Sequence, residues 1–209
     1  MSSTITLYTN PMSRGQIARW ALEEVCAPYE AVILDYASTM KGADYLAVNP
    51  MGKVPAIVHD GQVVTECAAI CAYLAEAFPE AGLAPRAEER ADYYRWLFFA
   101  AGPVEAAVTN NALGVKTDEK TSRMAGYGSY DAVVDVLEWA VGKGDYICGD
   151  RFTAADIYLG AQVDWGLSFG TIPTRPAFEA YAARLRDRPA YKRQKDIDNA
   201  LIAEMQNPG

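Results

Sequence analysis

Apolar residues in the first eighty positions follow two rhythms, one typical of strands and one typical of helices. Residues 5–8 and 29–34 form short β-type runs, and the first of them ends at an Asn-Pro pair that breaks regular structure. Residues 54–58 and 62–64 flank an Asp-Gly pair, which is a strong signal for a β-hairpin. The pattern therefore predicts four strands, the last two of them joined by a tight turn.

Helical spacing of apolar residues alternates with these strands. It is clear over residues 14–25 and 66–78, and a shorter helical segment is predicted over residues 44–47. The predicted order is strand, helix, strand, helix, strand, strand, helix. Such an order suits a mixed sheet covered by helices.

The composition changes after residue 78. Residues 78–85 are rich in proline and glycine, which is typical of a linker, and strand signals nearly vanish beyond them. The helical segments predicted there are residues 86–112, 119–141, 154–167, 178–186 and 191–205. The sequence thus predicts an α/β domain over residues 1–78, a linker over residues 79–85 and an all-α domain over residues 86–209.

Charge and composition narrow the classes of partner. Of the 209 residues, 51% are hydrophobic and 22% are charged, as in soluble globular proteins, and the formal net charge is −8. This charge repels polyanions, so we expect no nucleic-acid partner. No apolar run approaches twenty residues, and the first residues lack the basic and apolar pattern of a leader. We therefore expect neither a membrane span nor export.

The cysteines indicate a reducing compartment rather than a metal site. The four of them form no Cys-x-x-Cys pair and no zinc-ligand spacing with the single histidine, His59. Free thiols in the cytoplasm are the simplest interpretation, and we expect no metal cofactor. Cys67 and Cys71 would share a face of one helix, where packing of small residues in a core is the simplest role.

Two features on either side of the predicted hairpin suggest a binding site for a small peptide. Pro55 follows Val54 at the mouth of a strand, and proline there removes a donor from the sheet, so the position is an edge, a bulge or a special turn. Glu66 and Cys67 stand where a helix begins, and the free backbone N–H groups at such a point attract a carboxylate. The glutamate can pair with an ammonium group or interact only with the dipole of its own helix.

These residues resemble the glutathione site of glutathione S-transferases. The matching stretches are Asn-Pro-Met-Gly-Lys-Val-Pro at residues 49–55 and, after the hairpin, Thr-Glu-Cys-Ala-Ala-Ile at residues 65–70. In that family the proline is cis, and the backbone of the residue before it pairs with the cysteinyl part of glutathione, as a peptide strand would. The resemblance implies that Val54 makes this contact beside Pro55 and that Glu66 binds the γ-glutamyl ammonium group. It also implies a thioredoxin-like N-terminal domain and a C-terminal helical bundle.

Two further residues of this stretch are candidates for binding glutathione. Cys67 stands where the family usually has serine, and because a thiol is a poor hydrogen-bond donor, recognition of the γ-glutamyl carboxylate would depend on the backbone N–H. Lys53 is adjacent to the Val-Pro pair and is a candidate for binding the glycyl carboxylate. The alternative for Lys53 is a solvated lysine in a loop.

The implied reaction is attack of the glutathione thiolate on an electrophile, and three residues are candidates for stabilising that thiolate. A free thiol has a pKa of roughly 8.5, and a hydroxyl donor aimed at the sulfur near a helix N-terminus lowers it. Ser13 matches the spacing of the serine in theta-like classes, although it can equally be an N-cap alone. Tyr8 lies within the strand pattern, where packing is the alternative. Arg14 is the third candidate, because its guanidinium can approach the sulfur or the substrate. The alternative for Arg14 is a solvated charge in the first turn of the helix.

The second half carries one motif and one candidate residue. Thr153 and Asp156 stand three positions apart at a predicted helix start, which is the spacing of a capping box. The same box occurs in the helical domain of the family, where its role is folding. Family members are usually homodimers, in which a carboxylate from the fourth helix of the partner often touches the γ-glutamyl amine. The resemblance therefore implies a homodimer and makes Glu105 a candidate for that carboxylate.

Taken together, the resemblance implies a cytoplasmic transferase that uses glutathione as co-substrate and conjugates it to small hydrophobic electrophiles. A glutathione-dependent isomerase, dehalogenase or etherase would keep the same scaffold with a different reaction. A non-catalytic glutathione- or ligand-binding protein is the alternative from another class. No motif in the chain identifies the electrophile.

Overall fold

A computed structural model describes residues 4–207 of the chain. The chain forms two compact units, one made of Met1–Leu83 and Asp187–Gly209 and the other of Ala84–Arg186. We call them the sheet unit and the helical unit. The predicted combination of a thioredoxin-like α/β domain and an all-helical domain is confirmed. The residue limits of the domains stay a prediction, and the last helix groups by its contacts with the sheet unit.

The sheet unit is built on a mixed four-stranded sheet. Its strands are β1 (Ile5–Thr9), β2 (Tyr29–Ile33), β3 (Ala56–His59) and β4 (Gln62–Thr65), in the spatial order β2-β1-β3-β4. β1 is parallel to β2 and antiparallel to β3. The predicted hairpin joins β3 to β4 through Asp60 and Gly61, whose φ angles of 50° and 82° suit the tight turn of a hairpin.

Helices cover both faces of this sheet. Successive side chains of β1 point to opposite faces, so both faces carry residues that pack against helices. Ile5 and Leu7 are fully buried on one face. Tyr8 packs on the opposite face, against a cluster that includes Tyr45. The helices of this unit are α1 (Gly15–Val25), α2 (Ala43–Leu46), α3 (Cys67–Ala77) and α9 (Pro189–Gln206). Helix α1 contacts both α3 and α9.

The helical unit contains five α-helices between residues 84 and 186. They are α4 (Arg90–Phe99), α5 (Glu105–Ala112), α6 (Tyr130–Val141), α7 (Ala154–Phe169) and α8 (Pro176–Arg186). Helices α4 and α5 are joined by a wider helical turn at Ala100–Val104 that contains Pro103, where the prediction was one continuous segment. A proline inside a helix removes a backbone donor, which explains the local change of winding.

The helix predicted over residues 119–141 is wrong in its first half. Regular helix begins only at Tyr130, and the preceding residues form a loop with a short turn at Thr121–Arg123. Gly128 has a φ of 73°, which ends any helix before it, and the Ser129 side chain then caps α6 by accepting from the N–H of Ala132 at 3.3 Å. The helical spacing of apolar residues therefore overestimated this element.

The capping box predicted at the start of α7 is confirmed. The Asp156 carboxylate accepts hydrogen bonds from the Thr153 N–H at 2.8 Å, the Ile147 N–H at 2.7 Å and the Tyr181 hydroxyl at 2.7 Å. Asp156 is fully buried, so these bonds replace its hydration.

Within residues 4–207, no helix has the length and hydropathy to cross a membrane.

Candidate active site

The segment after β1 is anchored by a buried asparagine. Asn10 donates from its amide to the Leu34 carbonyl at 2.8 Å, and its Oδ1 accepts from the Met12 N–H at 2.9 Å. The Tyr36 hydroxyl donates to the Met12 carbonyl at 3.0 Å. These bonds fix the backbone between β1 and α1, which we call the β1–α1 loop (residues 10–14), against the end of β2.

Ser13 lies in this loop, two residues before α1 begins at Gly15. Its hydroxyl donates to the Asn10 carbonyl at 2.6 Å and accepts from the Gly15 N–H at 2.9 Å. The side chain is half-buried. The oxygen thus satisfies one of the first N–H groups of α1, and the proton is directed at a carbonyl. To donate to a ligand, the hydroxyl must turn its proton away from Asn10 while keeping the bond from Gly15.

A close approach between β1 and α1 holds this loop in its compact form. A Cβ on Gly15 would lie 1.9 Å from the Thr9 hydroxyl oxygen, so only glycine fits the present backbone. Thr9 is fully buried, and its hydroxyl oxygen has no hydrogen-bond partner among the residues that the structure describes. The sequence prediction missed Thr9 and Asn10. Two polar residues directly after an apolar strand were the available signal.

The other two candidates for the thiolate differ from Ser13 in their surroundings. The Tyr8 ring is tilted against the Tyr45 ring, with centroids 5.4 Å apart, and packs on the same cluster as Val54. Arg14 is half-buried, and its carbonyl accepts from the N–H of Ile17 in the first turn of α1. Tyr8 and Val54 therefore share one apolar cluster, whereas Ser13 and Arg14 belong to the start of α1.

The turn before β3 is organised by Asn49, the first residue of the motif. Asn49 is buried and donates from its amide to the Lys53 carbonyl at 2.8 Å, and the Tyr45 hydroxyl donates to the same carbonyl at 2.5 Å. Burial raises the pKa of Tyr45, so its hydroxyl stays protonated and keeps donating. Gly52 has a φ of 56°, and a Cβ there would lie 3.1 Å from the Met40 carbonyl oxygen.

This turn presents Val54 just before the paired part of β3. The Val54–Pro55 peptide bond is cis. The ladder with β1 begins at Ala56, so the backbone of Val54 lies outside the sheet's own hydrogen bonding. The Lys53 side chain is exposed while its carbonyl is held from within the sheet unit.

Glu66 holds an unusual backbone conformation at the start of α3. Its φ of 64° and ψ of 112° fall outside the regions that L-residues ordinarily adopt, and its side chain is exposed. Strained residues cost of order 1–3 kcal/mol and cluster at functional sites. The conformation sets the direction in which the first N–H groups of α3 leave the helix.

Cys67 connects the start of α3 with the start of α1. Its thiol is buried and contacts the Arg14 carbonyl, with 3.6 Å between sulfur and oxygen. The structure therefore brings the start of α3 next to Arg14, the residue that follows Ser13 and precedes α1. Cys148, by contrast, belongs to the helical unit, and burial raises the pKa of its thiol to about 12, so it stays protonated at neutral pH.

Glu105 lies in the helical unit, at the first residue of α5. Its carboxylate accepts a hydrogen bond from the Tyr158 hydroxyl of α7 at 2.9 Å, and its side chain is half-buried.

The helical unit also contains an open cavity of about 340 Å³ whose lining includes Asn111, Lys116 and Tyr127. Among residues 4–207, no cluster of three or more His, Cys, Asp or Glu side chains could hold a metal ion.

Comparison with known proteins adds to this geometry. The chain matches the family model described as glutathione S-transferase, N-terminal domain, over residues 3–76, and the one described as glutathione S-transferase, C-terminal domain, over residues 95–189. Glutathione S-transferase GST-4.5 of Xanthomonas campestris pv. campestris is 30% identical, over 95% of this chain and 98% of that protein.

Solved structures agree over nearly the whole chain. A sphingomonad glutathione S-transferase complexed with glutathione is 31% identical, with a TM-score of 0.75 over 93% of this chain and 98% of that one. A theta-class glutathione S-transferase of Xanthomonas axonopodis pv. citri with glutathione bound is 27% identical, with a TM-score of 0.73 over 91% and 96% of the two chains.

Proposed function

The chain belongs to the glutathione S-transferase family, and we propose that it conjugates glutathione to small hydrophobic electrophiles. The two family models cover both of its domains, and the relatives that match it over nearly full length carry the transferase name. Glutathione is bound in both of the solved structures described above, which supports glutathione as the co-substrate. We propose the cytoplasm as its location, which the four free cysteines support.

We propose that glutathione binds along the sheet unit in an extended form. The backbone of Val54, which lies outside the ladder, is free to pair with the cysteinyl part. The γ-glutamyl carboxylate would meet the N–H groups at the start of α3, and Glu66 would pair with the adjacent ammonium group. Cys67 directs its thiol at Arg14, so carboxylate binding depends on its backbone N–H. Lys53 is exposed and would bind the glycyl carboxylate.

The observation that carries the proposal is the Ser13 hydroxyl, which accepts from the first N–H of α1, next to the residue whose carbonyl the Cys67 thiol contacts. Redirected from the Asn10 carbonyl to the sulfur, it would donate to the thiolate and lower the thiol pKa, and the N-terminus of α1 would add its dipole. The thiol proton passes to water, the sulfur lone pair forms a bond to the electrophilic carbon, and the leaving group departs with its electron pair. Tyr8 packs within an apolar cluster, which favours Ser13 over it.

Ultraviolet difference absorbance of bound glutathione, recorded against pH, tests this assignment. We expect the wild type to form thiolate below the pH at which free glutathione ionises, roughly 8.5. Ser13→Ala should move the titration up towards that value, and Tyr8→Phe is the matched control that removes another hydroxyl. An unshifted titration in Ser13→Ala would exclude Ser13. Arg14→Met would then show whether the guanidinium stabilises the thiolate.

The class of reaction is tested by turnover of a generic aryl halide with glutathione. We expect loss of the halide and equal consumption of glutathione. Binding of glutathione without turnover would favour a non-catalytic binding protein. Turnover that regenerates glutathione would favour an isomerase.

We propose that the protein is a homodimer in which Glu105 reaches the γ-glutamyl amine bound by the other copy. The support is family membership and the carboxylate of Glu105 at the first turn of α5, held by Tyr158. Light scattering should give twice the mass of one chain. Glu105→Gln should raise the KM for glutathione with little change in kcat. The substitution removes a charge that binds glutathione equally in the ground state and in the transition state. A monomer, or an unchanged KM, would contradict the proposal.

A further inference from the structure

The last helix of the chain presents a buried polar face to α1. Asp198 is fully buried, and its carboxylate accepts from the Arg19 Nε at 3.0 Å and from the Gln194 Nε2 at 2.6 Å. Arg19 and Gln194 are themselves buried. The Arg19 guanidinium and the Asp198 carboxylate each meet a partner of opposite charge when this face of α9 packs on α1. The pair therefore determines which face of α9 contacts α1.

Lys195 extends this face to the loop that holds Ser13. Its ammonium donates to the Gln16 Oε1 at 2.9 Å, and the Gln16 Nε2 donates in turn to the Pro11 carbonyl at 2.6 Å. An ammonium can only donate and a carbonyl can only accept, so the Gln16 amide has one orientation that satisfies both. The three groups form a relay from α9 to the β1–α1 loop.

The relay adds a hydrogen bond at Pro11, between Asn10 and Met12, which have hydrogen bonds of their own. Pro11 has no N–H, so its carbonyl is its one backbone hydrogen-bonding group. It lies next to Asn10, whose carbonyl accepts the Ser13 hydroxyl. A rotation of the Pro11 peptide groups would move that carbonyl, and with it the direction in which Ser13 donates.

We propose that Lys195 and Gln16 are positioning residues for the thiolate-stabilising hydroxyl, a role that rests on the proposed function of Ser13. Neither residue needs to touch glutathione. A donor must be held within about 0.5 Å of its productive position to act fully. The relay supplies that constraint from Lys195, which is 179 positions away from Gln16 along the chain.

The substitutions that test the relay remove one link at a time. Lys195→Met keeps an unbranched side chain and removes the ammonium, and Lys195→Arg restores a donor. Gln16→Glu keeps the pairing with Lys195 but places a carboxylate against the Pro11 carbonyl. Lys192→Met is the matched control, because Lys192 is an exposed lysine of the same helix that pairs with Asp187.

Two measurements on the full-length protein separate the relay from general stability. The first is the ultraviolet titration of bound glutathione, and the second is hydrogen exchange of the Met12 and Gly15 amides without glutathione. Lys195→Met and Gln16→Glu should raise the titration midpoint and lower kcat/KM below neutral pH on the order of three- to tenfold. They should also speed exchange of both amides. Lys195→Arg should restore most of the wild-type values, and Lys192→Met should change neither.

The outcomes distinguish this proposal from the proposed function. If Ser13→Ala shifts the titration and Lys195→Met does not, the relay is refuted while the role of Ser13 stands. If Ser13→Ala fails to shift it, the assignment of Ser13 fails, and the relay's catalytic role fails with it. A lower unfolding midpoint in Lys195→Met with unchanged titration and exchange would mean that the contact only stabilises the fold. In the Ser13→Ala background, Lys195→Met should have no further effect on the titration.

Discussion

At the scale of single residues, Gly15 determines how closely α1 can follow β1. The nearest obstacle to a side chain there is the Thr9 hydroxyl oxygen, 1.9 Å from the Cβ position, with the Ser13 hydroxyl oxygen at 3.0 Å. Both oxygens belong to the segment that carries the proposed chemistry. A side chain at position 15 therefore disturbs the packing and the position of Ser13 together.

We predict that Gly15→Ala lowers the free energy of unfolding by about 1–3 kcal/mol, because a methyl group overpacks a site without room for it. Urea denaturation measures the loss. Thr9→Ala in the same background removes the obstructing hydroxyl, so the double variant should recover part of the stability. Two losses that simply add would contradict the predicted clash.

At the scale of elements, α4 and the turn before α7 are joined by one ion pair. Arg151 donates to the Glu89 carboxylate from Nε at 3.1 Å and from a second nitrogen, and Glu89 also accepts from the Arg86 N–H at 2.7 Å. Hydrogen bonding from Arg151 holds the pKa of Glu89 below its usual value. The carboxylate is therefore more easily ionised in the folded state than in the unfolded chain.

The ion pair between Arg151 and Glu89 should stabilise the protein at neutral pH and lose this effect as the pH falls. A carboxylate whose folded pKa is lowered stabilises the fold above its unfolded pKa, about 4.3, and loses that contribution as the pH falls through the folded value. We predict that wild type exceeds Glu89→Gln in unfolding midpoint at neutral pH and that the two converge on acidification. Glu119→Gln, at an exposed pair with Arg123, is the control and should show a smaller difference. A gap for Glu89→Gln that widened in acid would contradict the assignment.

Elements that are specified by neighbouring residues could be predicted from the sequence, and elements that depend on distant contacts could not. The β3–β4 hairpin and the capping box of α7 are specified by neighbouring residues, and both were predicted. The segment before α6 was predicted as helix because its apolar spacing is helical. Its glycines instead favour a loop, and Asn110 of α5 donates to the Tyr127 hydroxyl of that loop at 3.1 Å.

The candidate site divides in the same way. The motif from Asn49 to Cys67 could be recognised in the sequence because its residues stand close together along the chain, and their roles in binding stay predictions. The contact between Gln16 and Lys195 could not be predicted, since it depends on the packing of α1 against a segment far away in sequence. Sequence periodicity indicates which face of a helix is buried, but not which polar group it meets.

At the scale of the whole molecule, the sheet unit is closed by a helix from the other end of the chain. The Arg19–Asp198 pair is at most 2% exposed on either side chain. Two further arginines of this segment pair with α1, Arg188 with Glu24 at 2.6 Å and Arg193 with Glu23 at 3.0 Å. The buried pair is the part whose loss should matter most, since the outer two are more exposed.

We predict that Asp198→Asn lowers the free energy of unfolding by about 3–5 kcal/mol, because it leaves the Arg19 charge buried without its partner. Arg193→Met, which breaks the most exposed of the three pairs, should cost less than about 1 kcal/mol. The double variant Arg19→Met, Asp198→Leu should recover most of the loss. A double variant as unstable as Asp198→Asn would mean that the pair is required for more than charge balance. Urea denaturation of all four proteins gives the comparison.

The discontinuous sheet unit also has a consequence for biosynthesis. The ribosome completes Ala84–Arg186 before it makes the helix that covers Arg19. At about 5–20 residues per second, roughly 5–20 s pass between the two parts of the sheet unit. During that interval the nascent chain exposes the α1 surface, with its cationic side chain, while the contiguous helical unit can already fold. We therefore expect the nascent protein to be open to proteases and misassembly until α9 emerges.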